Sequence, residues 1–172
     1  AEALAASTFT SSSGSTIAIV ASRNIDNGVQ LLDVSNPPRP VALGSATDEY
    51  NGFTTLDGAG AVSTFTSADG SIIAVVAARQ DDGVQLINVS DPSAPVALGS
   101  ARDGSDGFTT LSGAVSVSTF ATADGSIIAI VAAREDDGVQ LIDVSDPASP
   151  LAVGSATDGV NGFTKLKEAW GV

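Results

Sequence analysis

"DDGVQLINVSDPSAPVALGS", residues 81–100, decides the reading of this chain because it is written three times. Residues 25–45 read "IDNGVQLLDVSNPPRPVALGS" and residues 135–155 read "EDDGVQLIDVSDPASPLAVGS". Self-similarity at a fixed spacing, here about 55 residues, is the sequence mark of a repeat architecture. Working outward, copy one runs from Ser7 to Val62, copy two from Ser63 to Val117 and copy three from Ser118 to Val172. Residues 1–6 read as the end of a preceding repeat, and the three copies together form one repeat domain. Copy one carries one extra residue in its "RNIDNG" turn. Phe9, Phe65 and Phe120 hold one phase; Phe53, Phe108 and Phe163 hold another; Arg23, Arg79 and Arg134 hold a third.

Each copy predicts four strands. In copy two, "VSTFT" (62–66) is the first, and "ADG" (68–70) supplies an Asp-Gly hairpin signal. "SIIAVVAA" (71–78) is nearly continuous in apolar character, the pattern of a strand covered on both faces. "DDG" (81–83) turns into the β-branched "VQLINVS" (84–90). "DPSAP" (91–95) is a Pro-stiffened turn before the short strand "VALGSA" (96–101). Residues 102–114 then cross to the next copy. No long stretch carries a helical period. The expectation is an all-β chain of three tandem four-stranded antiparallel repeats, β-propeller-like blades in an incomplete ring or open stack. A three-fold β-trefoil-like barrel fits the same strand count. In the blade reading, both sets of Phe are inter-blade packing residues.

Composition narrows the chemistry. Cys, His and Met are absent from the 172 residues, which removes thiol nucleophiles, disulfides, imidazole bases and the softer metal ligands. Without His there is no Ser triad, and no carboxylate pair stands out among many, so the chain is expected not to be an enzyme. A net charge of -13 argues against nucleic acid and against anionic membrane surfaces. No apolar run approaches the roughly 18 residues of a spanning helix, so membrane insertion is not expected.

At "DGVQLINVSDPSAPVALGS" the chain resembles the LVIVD-repeat family of bacterial and archaeal surface proteins, through Gly28 to Pro37, Gly83 to Pro92 and Gly138 to Pro147. The resemblance implies a propeller-like β architecture and an extracellular or cell-surface location. It brings no catalytic residues.

The remaining candidates are few. "DEYNG", "DGSDG" and "DGVNG" set pairs of oxygen-bearing side chains three apart before Gly: Asp48 with Asn51, Asp103 with Asp106, and Asp158 with Asn161. Hard cations want such clustered oxygens, so calcium is the one cofactor these turns could take, although Asx-Gly turns form without metal. "NVS" at Asn88 is the single N-glycosylation sequon. Trp170, the only Trp, marks a candidate interface with Lys165 and Lys167 nearby. Arg23, Arg79 and Arg134 suggest repeated Arg-carboxylate bridges at the turn after the second strand, or a ring of guanidinium groups.

"EALAA" (2–6) precedes the first copy as "EAWGV" (168–172) would precede a fourth. Three blades leave an apolar face open at each end, and such faces demand partners. The expected function is a structural extracellular repeat protein, a subunit of a filament or surface layer assembled end to end by self-association and carrying glycans. The alternative is a propeller-type binding module of a larger surface protein for a carbohydrate, a protein or calcium.

Overall fold

β-branched residues in alternating and continuous runs, broken by Asx-Gly and Pro turns, fold here into three four-stranded antiparallel meanders. The architecture is that of a computed structural model, which describes residues 2–23 and 27–172. Blade 1 contains β1 (Glu2–Thr10), β2 (Thr16–Arg23), β3 (Gly28–Asp33) and β4 (Val41–Thr47). Blade 2 contains β5 (Ala59–Thr66), β6 (Ile72–Ala78), β7 (Gly83–Asn88) and β8 (Val96–Arg102). Blade 3 contains β9 (Ala114–Ala121), β10 (Ile127–Ala133), β11 (Gly138–Asp143) and β12 (Leu151–Thr157). There is no helix among the described residues. The extra residue of copy one falls in the 24–26 segment, outside the described residues.

Each sheet keeps its strands in chain order, and no strand is shared between sheets. That excludes the trefoil-like barrel, in which strands of different repeats must close one common sheet. The fold is an open set of propeller-like blades. The first strand of each blade begins earlier than its β-branched core suggests. In blade 2, Ala59 and Ala61 pair with Ala78 and Ala77 across a bulge, so small residues extend the strand where alternation alone gave no signal. Glu2–Ala6 likewise form the first half of β1, paired with β2.

The core is two layers between blades. Ile17, Ile19 and Leu31 of blade 1 meet Phe53, Leu56, Val76, Ile87 and Val89 in the first. Ile73, Val75 and Leu86 of blade 2 meet Phe108, Leu111, Val131, Ile142 and Val144 in the second. Blade 2 is thus covered on both faces, and β6 has six of its seven residues buried, which is why its sequence reads as an unbroken apolar run. At about 25 cal/mol per Å² of apolar surface removed from water, this stacking is the main stabilising term.

Candidate functional site: the two open blade faces

A blade junction is built from a small set of contacts that occurs twice. On the inner strands, Ser7 Oγ meets Thr64 Oγ1 at 2.9 Å, and Ser63 Oγ meets Thr119 Oγ1 at 2.9 Å. On the outer strands, a bulge leaves Gly44 of blade 1 and Gly99 of blade 2 outside the ladder. The amide of Gln30 donates to Gly44 O at 2.8 Å, and that of Gln85 to Gly99 O at 2.9 Å. The freed N–H groups cross to the next blade, Gly44 N donating to Pro92 O at 2.8 Å and Gly99 N to Pro147 O at 2.9 Å. The crossover is then received by the next blade's glutamine. Thr54 N donates to Gln85 Oε1 at 3.1 Å and Thr109 N to Gln140 Oε1 at 3.2 Å. Gln85 and Gln140 are 1% exposed, so burial of these amides is compensated by a complete set of partners.

Two carboxylates also span the junctions. Asp81 Oδ2 accepts from Asp57 N at 2.8 Å, and Asp136 Oδ2 accepts from Ser112 N at 2.8 Å. Burial pushes both carboxyls above the usual 3.8, with the backbone donors pulling the other way. Asp81 additionally pairs with Arg102 at 2.8 Å.

At the ends, the same surfaces stand open. Phe53 and Phe108 are 3% exposed, whereas Phe163 is 45% exposed. Ile130 and Leu141 of blade 3 are half-buried where Val75 and Leu86 of blade 2 are fully buried. On blade 1, Val20, Leu32 and Val34 are half-buried where Val76, Ile87 and Val89 are fully buried. The inter-blade role expected for the Phe sets therefore holds for the buried Phe53 and Phe108 and for the half-buried Phe9 and Phe65, which pack against the same two layers. Phe163 and Phe120 are each 45% exposed on blade 3.

The predicted site residues are distributed as follows. Asp48, Asp103 and Asp158 each cap their own crossover, accepting from Leu56 N, Leu111 N and Leu166 N at 2.9, 3.0 and 2.9 Å. Asn51, Asp106 and Asn161 sit in left-handed turn positions with φ of 52°, 49° and 49°. Asn88 ends β7, paired with Ile73 and Val96, and its Oδ1 accepts from Ser90 N at 2.9 Å. It lines a cleft of about 360 Å³ between the 67–71 hairpin and the Asp146–Pro147 turn of blade 3. A similar cleft of about 470 Å³ lies one junction earlier, between Ser11–Ser13 and Asp91–Ser93. Trp170 is 61% exposed and lies on the Arg134 guanidinium, 4.4 Å from the ring centroid. The three arginines do not form one repeated bridge: Arg23 pairs with Glu2 on β1 at 2.9 Å, and Arg79 reaches Glu135 of the next blade at 3.2 Å. Sequence reasoning missed the glutamine and glycine series. Its signal was present, since "GVQL" recurs in every copy and a polar residue repeated inside an apolar strand must have a buried partner.

Comparison with known proteins agrees with this geometry. The LVIVD repeat profile matches residues 18–48 and 131–158. The matches cover β2 to β4 of blade 1, except the first two residues of β2, and the end of β10 with β11 and β12 of blade 3. No curated protein matches the chain by sequence. Among solved structures, a candidate 6-phosphogluconolactonase of Bacteroides fragilis aligns with TM-score 0.62 at 15% identity, over 96% of this chain and 40% of that one. The periplasmic gluconolactonase PpgL of Pseudomonas aeruginosa gives 0.58 at 16%, over 89% and 39%. A candidate exo-β-1,3-galactanase of Bifidobacterium bifidum gives 0.56 at 12%, over 95% and 55%. The likeness establishes the blade architecture, and this chain spans about two fifths of the two lactonase-named proteins. It also corrects the expectation that this is not an enzyme. Proteins named for lactone and galactan hydrolysis share the blades, so lack of His and Cys does not set catalysis aside.

Proposed function

We propose that this chain is an assembly module of the cell exterior, a three-blade unit that joins copies of itself end to end through its open blade faces. One observation carries the reading: the junction phenylalanine is 3% exposed twice and 45% exposed the third time, while the opposite face of blade 1 presents the apolar residues that cover it elsewhere. Burying half of such a side chain contributes roughly 1 kcal/mol, and a whole face adds several more. A head-to-tail contact between unlike faces yields a closed ring if its rotation closes, and a filament if it does not. A blade set of six falls within the four to eight blades that propellers use. The absence of Cys and Met suits an oxidising exterior.

Electron microscopy beside light scattering tests this over a range of protein concentration, in about 0.15 M salt to screen the chain's negative charge. Rings or filaments whose mass grows with concentration are expected. A monodisperse three-blade particle at every concentration sinks the proposal.

A further inference from the structure

We infer that a second copy of this chain docks on blade 3 in one register, with blade 1 of the incoming copy standing as a fourth blade. This rests on the assembly reading above and goes further by naming the contacts. Three cross-blade bonds recur at both internal junctions, and the unmade half of each lies on one end of the molecule. Blade 3 carries Ser118, Gly154 and Thr164 at the repeat positions of Ser63, Gly99 and Thr109, with Gly154 still in register with Leu141 of its own sheet. Blade 1 presents Thr8 Oγ1, Pro37 O and Gln30 Oε1, the counterparts of Thr119, Pro147 and Gln140. Gln30 already uses its amide nitrogen on Gly44 O and Leu31 O, and among the described residues nothing donates to its Oε1. A polar atom on an apolar face gains most from a donor delivered as that face is covered.

Gly154 fixes the register sterically. A Cβ at Gly99 would stand 2.6 Å from Pro150 Cδ and 2.8 Å from Ala148 O, and one at Gly44 would stand 2.7 Å from Pro92 O. The next blade comes so close that no side chain fits. At Gly154 a Cβ meets nothing within 4 Å. A side chain there is harmless to the single chain and blocks the joined pair.

Beyond Pro38–Arg39, which replace Ser93–Ala94 and Ala148–Ser149 in the incoming turn, two features distinguish this junction from the internal ones. Lys165 replaces Thr55 and Thr110, which are 0% and 3% exposed, so its stem must run past Gly28 to bring the ammonium to solvent. Residues 168–172 occupy the repeat phase of Glu2–Ala6, so the joined pair has one strand slot for two segments. Glu2–Ala6 are held by β2, whereas 168–172 form no strand and are fastened to blade 3 by Val172 N on Ser116 Oγ at 3.2 Å, by Glu168 N on Asp137 Oδ1 at 2.8 Å and by Trp170 on Arg134. The joined pair keeps Glu2–Ala6 and displaces the tail.

The chain has no cysteine, so disulfide trapping reads the register directly. Chains carrying Thr8→Cys and Ser118→Cys are mixed under mild oxidation; the pair Ser63→Cys and Thr119→Cys within one chain serves as the control for geometry. The mixed disulfide is expected to exceed either homodimer at least tenfold. Gly154→Val is expected to weaken association at least tenfold while leaving the urea midpoint of the dilute chain unchanged. If the native chain associates but neither result appears, the register is wrong and end-to-end assembly stands. If the native chain never associates, both readings fall.

Discussion

Phe108→Ala against Phe163→Ala is the sharpest test of the claim that blade stacking supplies the stability of this protein. The two residues are one position of the repeat, in the same "GFT" context, at an occupied junction and an open one. Phe108 is 3% exposed and packs in the layer with Val117, Val131 and Ile142. Truncating it removes a buried ring and leaves a cavity between two sheets that cannot close on it, which costs about 3–5 kcal/mol. Phe163 is 45% exposed, so truncation forfeits part of the transfer term and leaves no enclosed cavity, about 1 kcal/mol or less. The expected gap of at least ~2 kcal/mol is large beside the 5–15 kcal/mol that folded domains have in total. Urea unfolding followed by far-UV circular dichroism, at a concentration where the chain is single, measures both. Equal losses at the two sites would refute the argument, because they would show that stability resides within each blade rather than between blades. At higher concentration the order reverses in its readout: Phe163→Ala is the variant that weakens association.

Three more outcomes follow from the same geometry. Asp136 has a carboxyl pushed above 3.8 by burial, with no cation beside it to offset this. The native state therefore binds its proton more tightly than the unfolded state, and this group's contribution to stability falls as pH rises from about 3.8 through the raised value. Asp136→Asn, which keeps an oxygen for Ser112 N, should gain stability relative to the native chain between pH 3 and pH 7; a difference independent of pH in urea titrations refutes the burial argument. Lys165→Thr restores the residue found at both internal junctions and should tighten self-association about tenfold, read by sedimentation, while unchanged or weaker association contradicts the proposed register. Deleting residues 168–172 clears the contested strand slot and should also tighten association. If it loosens association instead, the tail with Trp170 is itself part of the contact.

The blades were legible because each strand states its environment in its own residues. "SIIAVVAA", β-branched and bounded by turn residues, reads as a strand covered on both faces, and β6 is one. The Asp-Gly signals fixed the hairpins, with Gly70 at φ 86°. The extra length of the first strands was not legible, because Ala and Gly at 58–61 carry no alternation, and their pairing is imposed by Ala77 and Ala78 across the bulge. The arginines illustrate the same limit. Their recurrence was plain, but Arg79 finds Glu135 only because blade 3 brings that residue alongside, and Arg134 finds Trp170 only because the chain turns back there.

The sequence by itself determined the number of blades and their strand order, since period and turn chemistry are local properties of the chain. Only the tertiary structure decided which repeated residues are satisfied and which are left open. Gln30, Gln85 and Gln140 are the same residue in the same strand, as are Gly44, Gly99 and Gly154. What separates them is whether a neighbouring blade stands within hydrogen-bond reach, and that depends on how sheets stack in space, which no single repeat encodes.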